Sequence, residues 1–172
     1  MDLAKSIVVT GPESSGKSSL TQALADYFKS AWVPEFARTY LEKHGPQYSL
    51  ADFKHMLAGQ WQHNQIACAD AQSPVFLDTD VINFAVWSDF VYQKRPQELQ
   101  ALLAQPNPHY YLICYPDLPW EADPLRENPK QRLAIFEAHK RLIEEKNRPF
   151  AIVKGTGSER LQNAIQAVEK WL

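Results

Sequence analysis

The chain has 172 residues, which suffice for one domain with a sizeable core and are few for two. Its 18 Lys and Arg residues against 20 Asp and Glu residues give a formal charge of −2, so composition provides no overall attraction to nucleic acid or to an anionic membrane. Cys68 and Cys114 lie far apart, and no apolar stretch has membrane-spanning or leader-like character, so we expect a soluble cytoplasmic protein with reduced thiols.

The chain begins with a predicted buried strand, a glycine-rich loop and a helix. Residues 6–10 are largely apolar and β-branched, and residues 11–18 read Gly-Pro-Glu-Ser-Ser-Gly-Lys-Ser, the Gly-x4-Gly-Lys-Ser pattern of a phosphate-binding loop (P-loop). One face of the following helix is apolar and consists of Leu20, Ala23, Leu24, Tyr27 and Phe28. Strand, loop and helix occur in the order that the motif requires. This order favours nucleotide binding over a glycine-rich turn without a ligand.

In such a loop, backbone N–H groups and the positive end of the helix dipole bind phosphate. We expect Lys17 to reach the β- and γ-phosphates and the Ser18 hydroxyl to bind Mg2+. The predicted nucleotide-binding residues of the loop are Gly11, Glu13, Ser14, Ser15, Gly16, Lys17, Ser18 and Ser19.

A second strand is predicted at residues 31–33, closed by Pro34 and followed directly by Glu35. Ser49 then has the character of an N-cap for a long helix over residues 50 to about 71. Beside the apolar stripe of that helix lie Gln60 and Asn64. These two side chains could face a ligand or lie on a helix shoulder exposed to water.

The third predicted strand, residues 74–78, is apolar until it ends on Asp78. It has the form of a Walker B strand, which delivers an Asp to the Mg2+ beside the P-loop Ser. Asp80 follows two residues later at the start of a predicted helix, where capping competes with a catalytic role.

The rest of the chain continues the alternation of strands and helices. Two more strands are predicted at 110–114 and 150–153, with helices at 96–104, 130–146 and 158–172. Alternating strands and helices predict an α/β fold, with a parallel sheet covered on both faces and ligands at the carboxyl ends of its strands. The residues that directly follow strands, and that we therefore expect in one cleft, are Gly16, Glu35, Asp78, Asp117 and Gly155.

Residues 115–132, the lid segment, contain four prolines among mixed charges. A charged, proline-rich segment of this length inside a domain is usually functional or disordered. We interpret it as a mobile lid that brings Arg126 or Arg132 over the phosphates. A plain solvated loop is the alternative.

With these residues in place, the chain resembles the ribosylnicotinamide kinase domain at the C-terminal end of the NadR-type proteins of bacterial NAD salvage. The matching segments occur in family order and span nearly the whole chain: residues 11–18, 33–38, 59–60, 77–80 and 117–126. The last of them, with its Pro-Trp pair and trailing Arg126, is the most discriminating.

The resemblance implies a P-loop kinase-like fold with a parallel five-stranded sheet, helices on both faces and a lid, in a single domain over residues 1–172. It also implies transfer of the γ-phosphate of ATP, with Mg2+, to the 5′-hydroxyl of nicotinamide riboside, giving nicotinamide mononucleotide. The adenylyltransferase and DNA-binding domains of multifunctional relatives are not expected, because the P-loop begins at residue 11.

Within that reaction, Lys17 and the loop amides would hold the phosphates, and Ser18 and Asp78 would hold Mg2+. Arg126 and Arg132 are the candidates to stabilise charge on the moving phosphoryl group. Glu35 or Asp80 would accept the proton of the acceptor hydroxyl. We prefer Glu35, because Arg38 is close enough in sequence to pair with it and keep it ionised.

Two contacts with the bases of the substrates are also expected. Gly155 would lie near the adenine. The cationic pyridinium ring of the acceptor suits aromatic walls, for which the candidates are Phe36, Trp87, Tyr92 and Trp120, each of which competes with a role in the core.

Other functions remain open at this stage. The chain could phosphorylate another nucleoside or small metabolite, or act as a nucleotide-dependent regulatory ATPase. No Asn-Lys-x-Asp guanine motif occurs, which disfavours a GTPase, and the arginine-bearing lid segment disfavours a switch. We expect a small-molecule acceptor and neither a nucleic-acid nor a membrane partner. The sequence does not indicate an oligomeric state.

Overall fold

The computed structural model describes residues 5–72 and 74–172. The strands in these residues are β1 (Ser6–Thr10), β2 (Ala31–Val33), β3 (Val75–Asp78), β4 (Tyr110–Cys114) and β5 (Phe150–Val153). The helices in the same part of the chain are α1 (Lys17–Phe28), α2 (Phe36–His44), α3 (Leu50–Asp70), α4 (Val81–Val91), α5 (Gln97–Leu103), α6 (Arg132–Glu145) and α7 (Gly157–Trp171).

The five strands form one parallel sheet in the order β2-β3-β1-β4-β5. In the register of the central strand, Val9 lies beside Asp78 of β3, and Thr10 beside Ile113 of β4. The strand order reverses at β1, and ligands of such sheets bind at this reversal, outside the carboxyl ends of the strands. The predicted parallel five-stranded sheet with helices on both faces is confirmed.

The core has two layers because side chains of β1 alternate between the two faces of the sheet. Ile7 and Val9 pack with α1 and α7, whereas Val8 packs on the opposite face with α2 to α6. On that second face the fully buried rings of Phe53 and Phe84 lie edge to face, with centroids 5.5 Å apart. Truncating a buried Phe to Ala costs about 3–5 kcal/mol, so this layer contributes strongly to the stability of the fold.

The start of α3 follows the predicted capping chemistry. The Ser49 hydroxyl accepts a hydrogen bond from the Asp52 N–H at 3.2 Å, and the Asp52 carboxylate accepts one from the Ser49 N–H at 2.7 Å. This reciprocal capping box satisfies two N–H groups that the first helical turn leaves without partners.

Neither interpretation of Gln60 and Asn64 was correct, because both side chains are buried in a hydrogen-bonded chain. The Phe36 N–H donates to Gln60 Oε1 (2.7 Å), Gln60 Nε2 donates to Asn64 Oδ1 (3.0 Å), and Asn64 Nδ2 donates to the Thr79 carbonyl (3.1 Å). Buried amides require such partners. These hydrogen bonds join the turn after β2, which carries Glu35, to the turn after β3, which directly follows Asp78.

Gly59 on α3 allows the Phe36 ring to approach this helix closely. A Cβ atom at position 59 would stand 2.5 Å from the ring, so any larger residue would displace the Phe36 side chain. Within the described residues, no helix has the length and apolar character needed to cross a membrane.

Candidate active site

The P-loop conformation depends on two glycines. Gly11 has φ 137° and its position would place a Cβ 2.8 Å from the Cys114 carbonyl oxygen, and Gly16 has φ 75° at the N-cap of α1. Only glycine adopts such angles without strain. The chain therefore leaves β1, curls closely past the end of β4 and presents the positive end of α1 to the loop.

Lys17 and Ser15 fix the interior of the loop. The Lys17 ammonium donates to the Pro12 carbonyl at 2.9 Å, and the Ser15 hydroxyl donates to the same oxygen at 2.6 Å. Lys17 thus lies over the concave side of the loop, where a phosphate chain would lie.

Ser18 and Asp78 meet at the ends of the neighbouring strands β1 and β3. The Ser18 hydroxyl donates to Asp78 Oδ2 at 2.5 Å, whereas no described residue donates to the buried Oδ1 atom. Burial raises the pKa of Asp78, while the Ser18 hydroxyl and the Lys17 charge oppose that rise. Mg2+ is commonly bound by one or two carboxylates together with substrate phosphates and water, and this pair of oxygen ligands fits that requirement.

Glu35 occupies the N-cap position of α2, but its side chain makes no capping hydrogen bond. Burial, and next the Asp78 charge, raise the pKa of Glu35 to about 7, against the opposing effects of Lys17 and Arg38. Glu35 therefore belongs electrostatically to the same site as Lys17 and Asp78.

The expected Glu35–Arg38 ion pair was wrong. The Arg38 guanidinium instead donates to Glu42 at 3.0 Å, one helical turn ahead, and to Asp123 of the lid segment at 2.7 Å. Arg38 acts on Glu35 only through its charge, and its hydrogen bonds join α2 to the lid segment.

Asp80 is only 3% exposed and is absent from the cavity that the P-loop borders. One carboxylate oxygen accepts from the Ile82 N–H (2.9 Å), and the other accepts from Tyr111 (2.5 Å) and Asn107 (3.3 Å). This geometry favours the capping alternative for Asp80.

The lid segment lies on the P-loop and, apart from its last residue, contains no helix or strand. The Glu13 carboxylate accepts from the backbone N–H groups of Glu127 (3.1 Å) and Asn128 (2.8 Å), and the Ser14 hydroxyl accepts from the Glu121 N–H (2.9 Å). Glu13 thus binds the lid segment through side-chain contacts that its place in the motif did not predict.

The two lid arginines have different surroundings. Arg126 lines the cavity and donates to the Glu121 carbonyl. Arg132 lies outside the cavity lining, where it donates to the carbonyls of Ser14 (3.1 Å) and Leu118 (2.9 Å). Of the two lid arginines, Arg126 is therefore the one that borders the cavity.

Arg160, which the sequence did not single out, is buried at the base of the site with 4% exposure. It donates to Asp117 Oδ1 (2.7 Å) and to the carbonyls of Ser15 (2.7 Å), Tyr115 (3.0 Å) and Gly155 (3.0 Å). The Gly155 N–H donates to the other Asp117 oxygen at 2.7 Å. One guanidinium thus joins the P-loop, the end of β4 and the turn after β5. On an amphipathic helix such as α7, an arginine ordinarily indicates a solvated position, so the pattern contained no signal for it.

These elements enclose a cavity of about 420 Å³, within the usual size range of small-molecule sites. It is bordered by the P-loop, Glu35, Asp78 and Arg126, and its aromatic walls are Trp32, Tyr48, Trp87 and Phe90.

Of the aromatic residues proposed as walls, Trp87 lines the cavity and donates its indole N–H to the Tyr48 hydroxyl at 2.8 Å. The other three pack elsewhere: Phe36 on Gly59, Tyr92 against Phe53, and Trp120 under the Arg132 guanidinium.

A P-loop at the end of the central strand, with an aspartate at the end of the adjacent strand, defines a P-loop nucleotide-binding protein with the kinase type of α/β fold. The family model described as an AAA domain matches residues 6–160, and the chain belongs to that family.

The predicted resemblance to NadR-type proteins is confirmed. The chain is 27% identical over 156 residues to the trifunctional NAD biosynthesis/regulator protein NadR of Salmonella typhimurium, and 26% identical to that of Escherichia coli. The match covers 87% of this chain but only 38% of each relative, so the chain spans well under half the length of these curated relatives.

Solved structures share the fold. A NadR protein in complex with NAD and AMP-PNP superposes with a TM-score of 0.78 at 24% identity, over 98% of this chain and 50% of that one. A NadR protein in complex with NR gives 0.75 at 22% identity, over 98% and 52%. Thymidylate kinase from Ehrlichia chaffeensis gives 0.68 at 13% identity, over 98% and 99%. The predicted P-loop kinase-like fold is confirmed.

Proposed function

We propose that the chain is an ATP-dependent kinase that phosphorylates the 5′-hydroxyl of nicotinamide riboside to give nicotinamide mononucleotide. The observation that carries the proposal is that a carboxyl group with a pKa near neutrality, Glu35, shares one cavity with Lys17 and the Ser18–Asp78 pair. A proton acceptor, a phosphate-binding cation and oxygen ligands for a metal are the parts that phosphoryl transfer requires.

On the nucleotide side, the loop amides and Lys17 hold the β- and γ-phosphates. Ser18 and Asp78 would hold Mg2+, which when bound neutralises charge on the phosphate oxygens. Arg126, which borders the cavity, stabilises the negative charge of the phosphoryl group during its transfer. Arg132 holds the lid segment on the P-loop through the Ser14 and Leu118 carbonyls.

On the acceptor side, Glu35 accepts the hydroxyl proton. A general base works best when its pKa lies near the working pH, and a pKa of about 7 meets that condition. Asp80 is excluded from this role in our proposal, because Tyr111, Asn107 and its own helix occupy both of its oxygens.

The character of the cavity supports a cationic acceptor. The aromatic residues Trp32, Tyr48 and Trp87 line it, and Glu35 and Asp78 border the same space. Aromatic faces attract a cation such as the pyridinium ring of nicotinamide riboside. The relatives named for NAD biosynthesis and the NadR structure with bound NR agree with this choice.

We propose further that the kinase domain spans residues 1–172 and that the lid segment closes over the bound nucleotide. The contacts of Glu13, Ser14 and Arg38 with this segment provide the docking surface for closure. Gly155 and Asp117 lie outside the lining of this cavity, joined by the Gly155 N–H, and we propose that Gly155 borders the adenine at the cavity's edge.

The test is acceptor-dependent ADP formation with a panel of nicotinamide riboside, uridine, cytidine, thymidine and adenosine. The proposal predicts the highest kcat/KM for nicotinamide riboside and loss of activity in Lys17→Ala. Faster turnover with a neutral nucleoside would assign a different kinase activity. ATP hydrolysis that is indifferent to every acceptor would favour a regulatory ATPase.

A further inference from the structure

Asn83 and His139 border the cavity together with Val86, Trp87 and Ile135, a set that we call the acceptor side. Asn83 lies in the first turn of α4 and is half-buried, whereas His139 on α6 is 1% exposed. Neither residue has a part in the phosphoryl transfer described above. A buried imidazole beside an amide at a cavity wall nevertheless restricts which polar atom the cavity presents.

The hydrogen bonds of His139 fix its tautomer. Nδ1 lies 2.8 Å from the Ile135 carbonyl oxygen, which can only accept, so Nδ1 carries the proton. Burial, with a contribution from the Lys17 charge, lowers the pKa of His139 to about 4, and the ring is therefore neutral at physiological pH. In a neutral imidazole with a protonated Nδ1, the other nitrogen, Nε2, is an acceptor.

The imidazole in turn fixes the orientation of the Asn83 amide. The structure places Asn83 Oδ1 3.2 Å from Nε2 of His139, an orientation that would set two acceptors against each other if the ring is protonated only at Nδ1. Because Nε2 accepts, the Asn83 group facing it must be the donating NH2, and the hydrogen-bond network is what decides between the two nearly isosteric ends of an amide. The carbonyl oxygen of Asn83 then takes the end of the amide away from the ring, and because Asn83 borders the cavity, this oxygen is available to a bound ligand.

We propose that Asn83 is a specificity-determining residue whose side-chain oxygen accepts a hydrogen bond from a ribose hydroxyl of the acceptor, with His139 positioning the amide, an assignment that rests on the proposed function. The other hydrogen-bond donor of nicotinamide riboside is its carboxamide, which lies at the far end of the molecule from the reacting oxygen. Asn83 lies in the first turn of α4, five residues after Asp78 at the end of β3, and the charge of Lys17 acts on His139, so the pair lies near the phosphoryl end of the cavity. The ribose ring, one carbon from the reacting 5′-oxygen, is the part of the acceptor that reaches this end.

The experiment is a binding cycle that does not depend on turnover. Affinities of the intact protein for nicotinamide riboside and for its 2′-deoxy and 3′-deoxy analogues are measured by calorimetry, in wild type and in Asn83→Ala. The proposal predicts that Asn83→Ala weakens binding of the riboside about 10-fold, the usual effect of removing one partner of a buried hydrogen bond. It also predicts that one of the two deoxy analogues binds both proteins equally.

Matched variants separate positioning from general damage. Asn163→Ala, on α7 and outside this cavity, should leave all three affinities unchanged. His139→Leu, which removes the acceptor for the Asn83 NH2 group, should lose most of the preference for the hydroxyl. His139→Gln, which restores an acceptor, should recover it. A role of His139 in packing alone would not move the ratio between riboside and deoxyriboside affinities.

Two failures are distinguishable. If wild type binds and phosphorylates nicotinamide riboside, but Asn83→Ala weakens the riboside and both deoxy analogues to the same extent, the assignment of Asn83 is overturned and the kinase function stands. If wild type neither binds nor phosphorylates the riboside, the proposed function fails and the assignment fails with it.

Discussion

Glu35 and Asp78 are two carboxyl groups in one cleft, and both interact with the charge of Lys17. Their mutual repulsion adds to the cost of burial and raises the pKa of Glu35 from 4.5 to about 7. The folded protein thus holds more protons than the unfolded chain between these two values. The stability contributed by Glu35 therefore falls as pH rises through this window, and above it Glu35 is ionised at a cost to the fold.

Glu35→Gln should lower kcat by roughly 10²–10⁴-fold while ATP affinity stays unchanged, because the amide keeps the shape but cannot accept the proton. In wild type, kcat/KM for the acceptor should rise with pH and level off above about pH 7, because the Glu35 carboxyl, with a pKa of about 7, must be ionised to accept the proton. The measurement is a set of steady-state pH profiles. A normal kcat in Glu35→Gln, combined with loss of activity in Asp80→Asn, would reverse the roles of the two residues.

Thermal unfolding provides the control for the same substitution, because it reports the pKa of Glu35 without using activity. At about pH 8, Glu35→Gln should melt at a higher temperature than wild type, since it removes a half-buried charge that lies near Asp78, and the gain should shrink at about pH 5. A lower melting temperature at the higher pH would contradict the raised pKa.

Asp78→Asn should abolish most activity and leave the fold intact, because it removes the negative charge beside the Ser18 hydroxyl. Lys17→Ala should have the same effect through the phosphates. Asp70→Asn at the exposed end of α3 serves as the matched control. The measurement is turnover as a function of Mg2+ concentration, and near-normal turnover of Asp78→Asn at limiting Mg2+ would refute the metal assignment.

At the scale of elements, the site depends on contacts between segments that lie far apart in sequence. The buried Gln60–Asn64 chain joins the turns after β2 and β3, and Arg160 joins the P-loop to the ends of β4 and β5. The lid segment lies on the P-loop through Glu13. Displacing any one of these links should therefore alter nucleotide binding before it alters the fold.

Arg160→Lys should raise the KM for ATP about 10-fold with a smaller effect on kcat, because an ammonium cannot reach Ser15, Tyr115 and Asp117 together. Arg141→Lys, on the exposed side of α6, is the control. Steady-state kinetics at varied ATP measure both parameters. Equal ATP KM values in the two variants would show that the P-loop does not depend on Arg160.

Amide hydrogen exchange in the lid segment should slow when an ATP analogue and the acceptor bind together, because closure protects backbone N–H groups from solvent. Glu13→Ala should speed exchange at Glu127 and Asn128 in the free protein, since it removes the carboxylate that accepts their hydrogen bonds. Exchange measured by mass spectrometry with and without ligands tests both effects. Identical exchange rates of the lid segment with and without ligands would show that it is a static loop.

At the scale of the whole molecule, the sequence predicted what local patterns determine. Short apolar runs predicted the five strands, the P-loop pattern predicted the central β1–α1 unit, and Ser49 predicted the start of α3. The partners of Arg38 and the burial of Arg160 were not predictable in this way. Each of these contacts depends on which distant segment packs against the arginine, and neither produces a periodic pattern in the sequence.

The Gln60–Asn64 chain illustrates the same limit. Two amides beside an apolar stripe resemble a solvated shoulder, and only the turns brought against α3 by the parallel sheet give them partners. The acceptor side was missed for a similar reason, since Asn83 and His139 lie 56 residues apart.

The central claim is that this cavity transfers a phosphoryl group from ATP to the 5′-hydroxyl of nicotinamide riboside. Its most direct test is to incubate γ-labelled ATP, Mg2+ and nicotinamide riboside with the purified protein and to identify the labelled product by mass spectrometry. We predict labelled nicotinamide mononucleotide in wild type, and none in Lys17→Ala or Glu35→Gln on the same time scale. Label found only in inorganic phosphate, or in product formed equally well by Lys17→Ala, would contradict the claim.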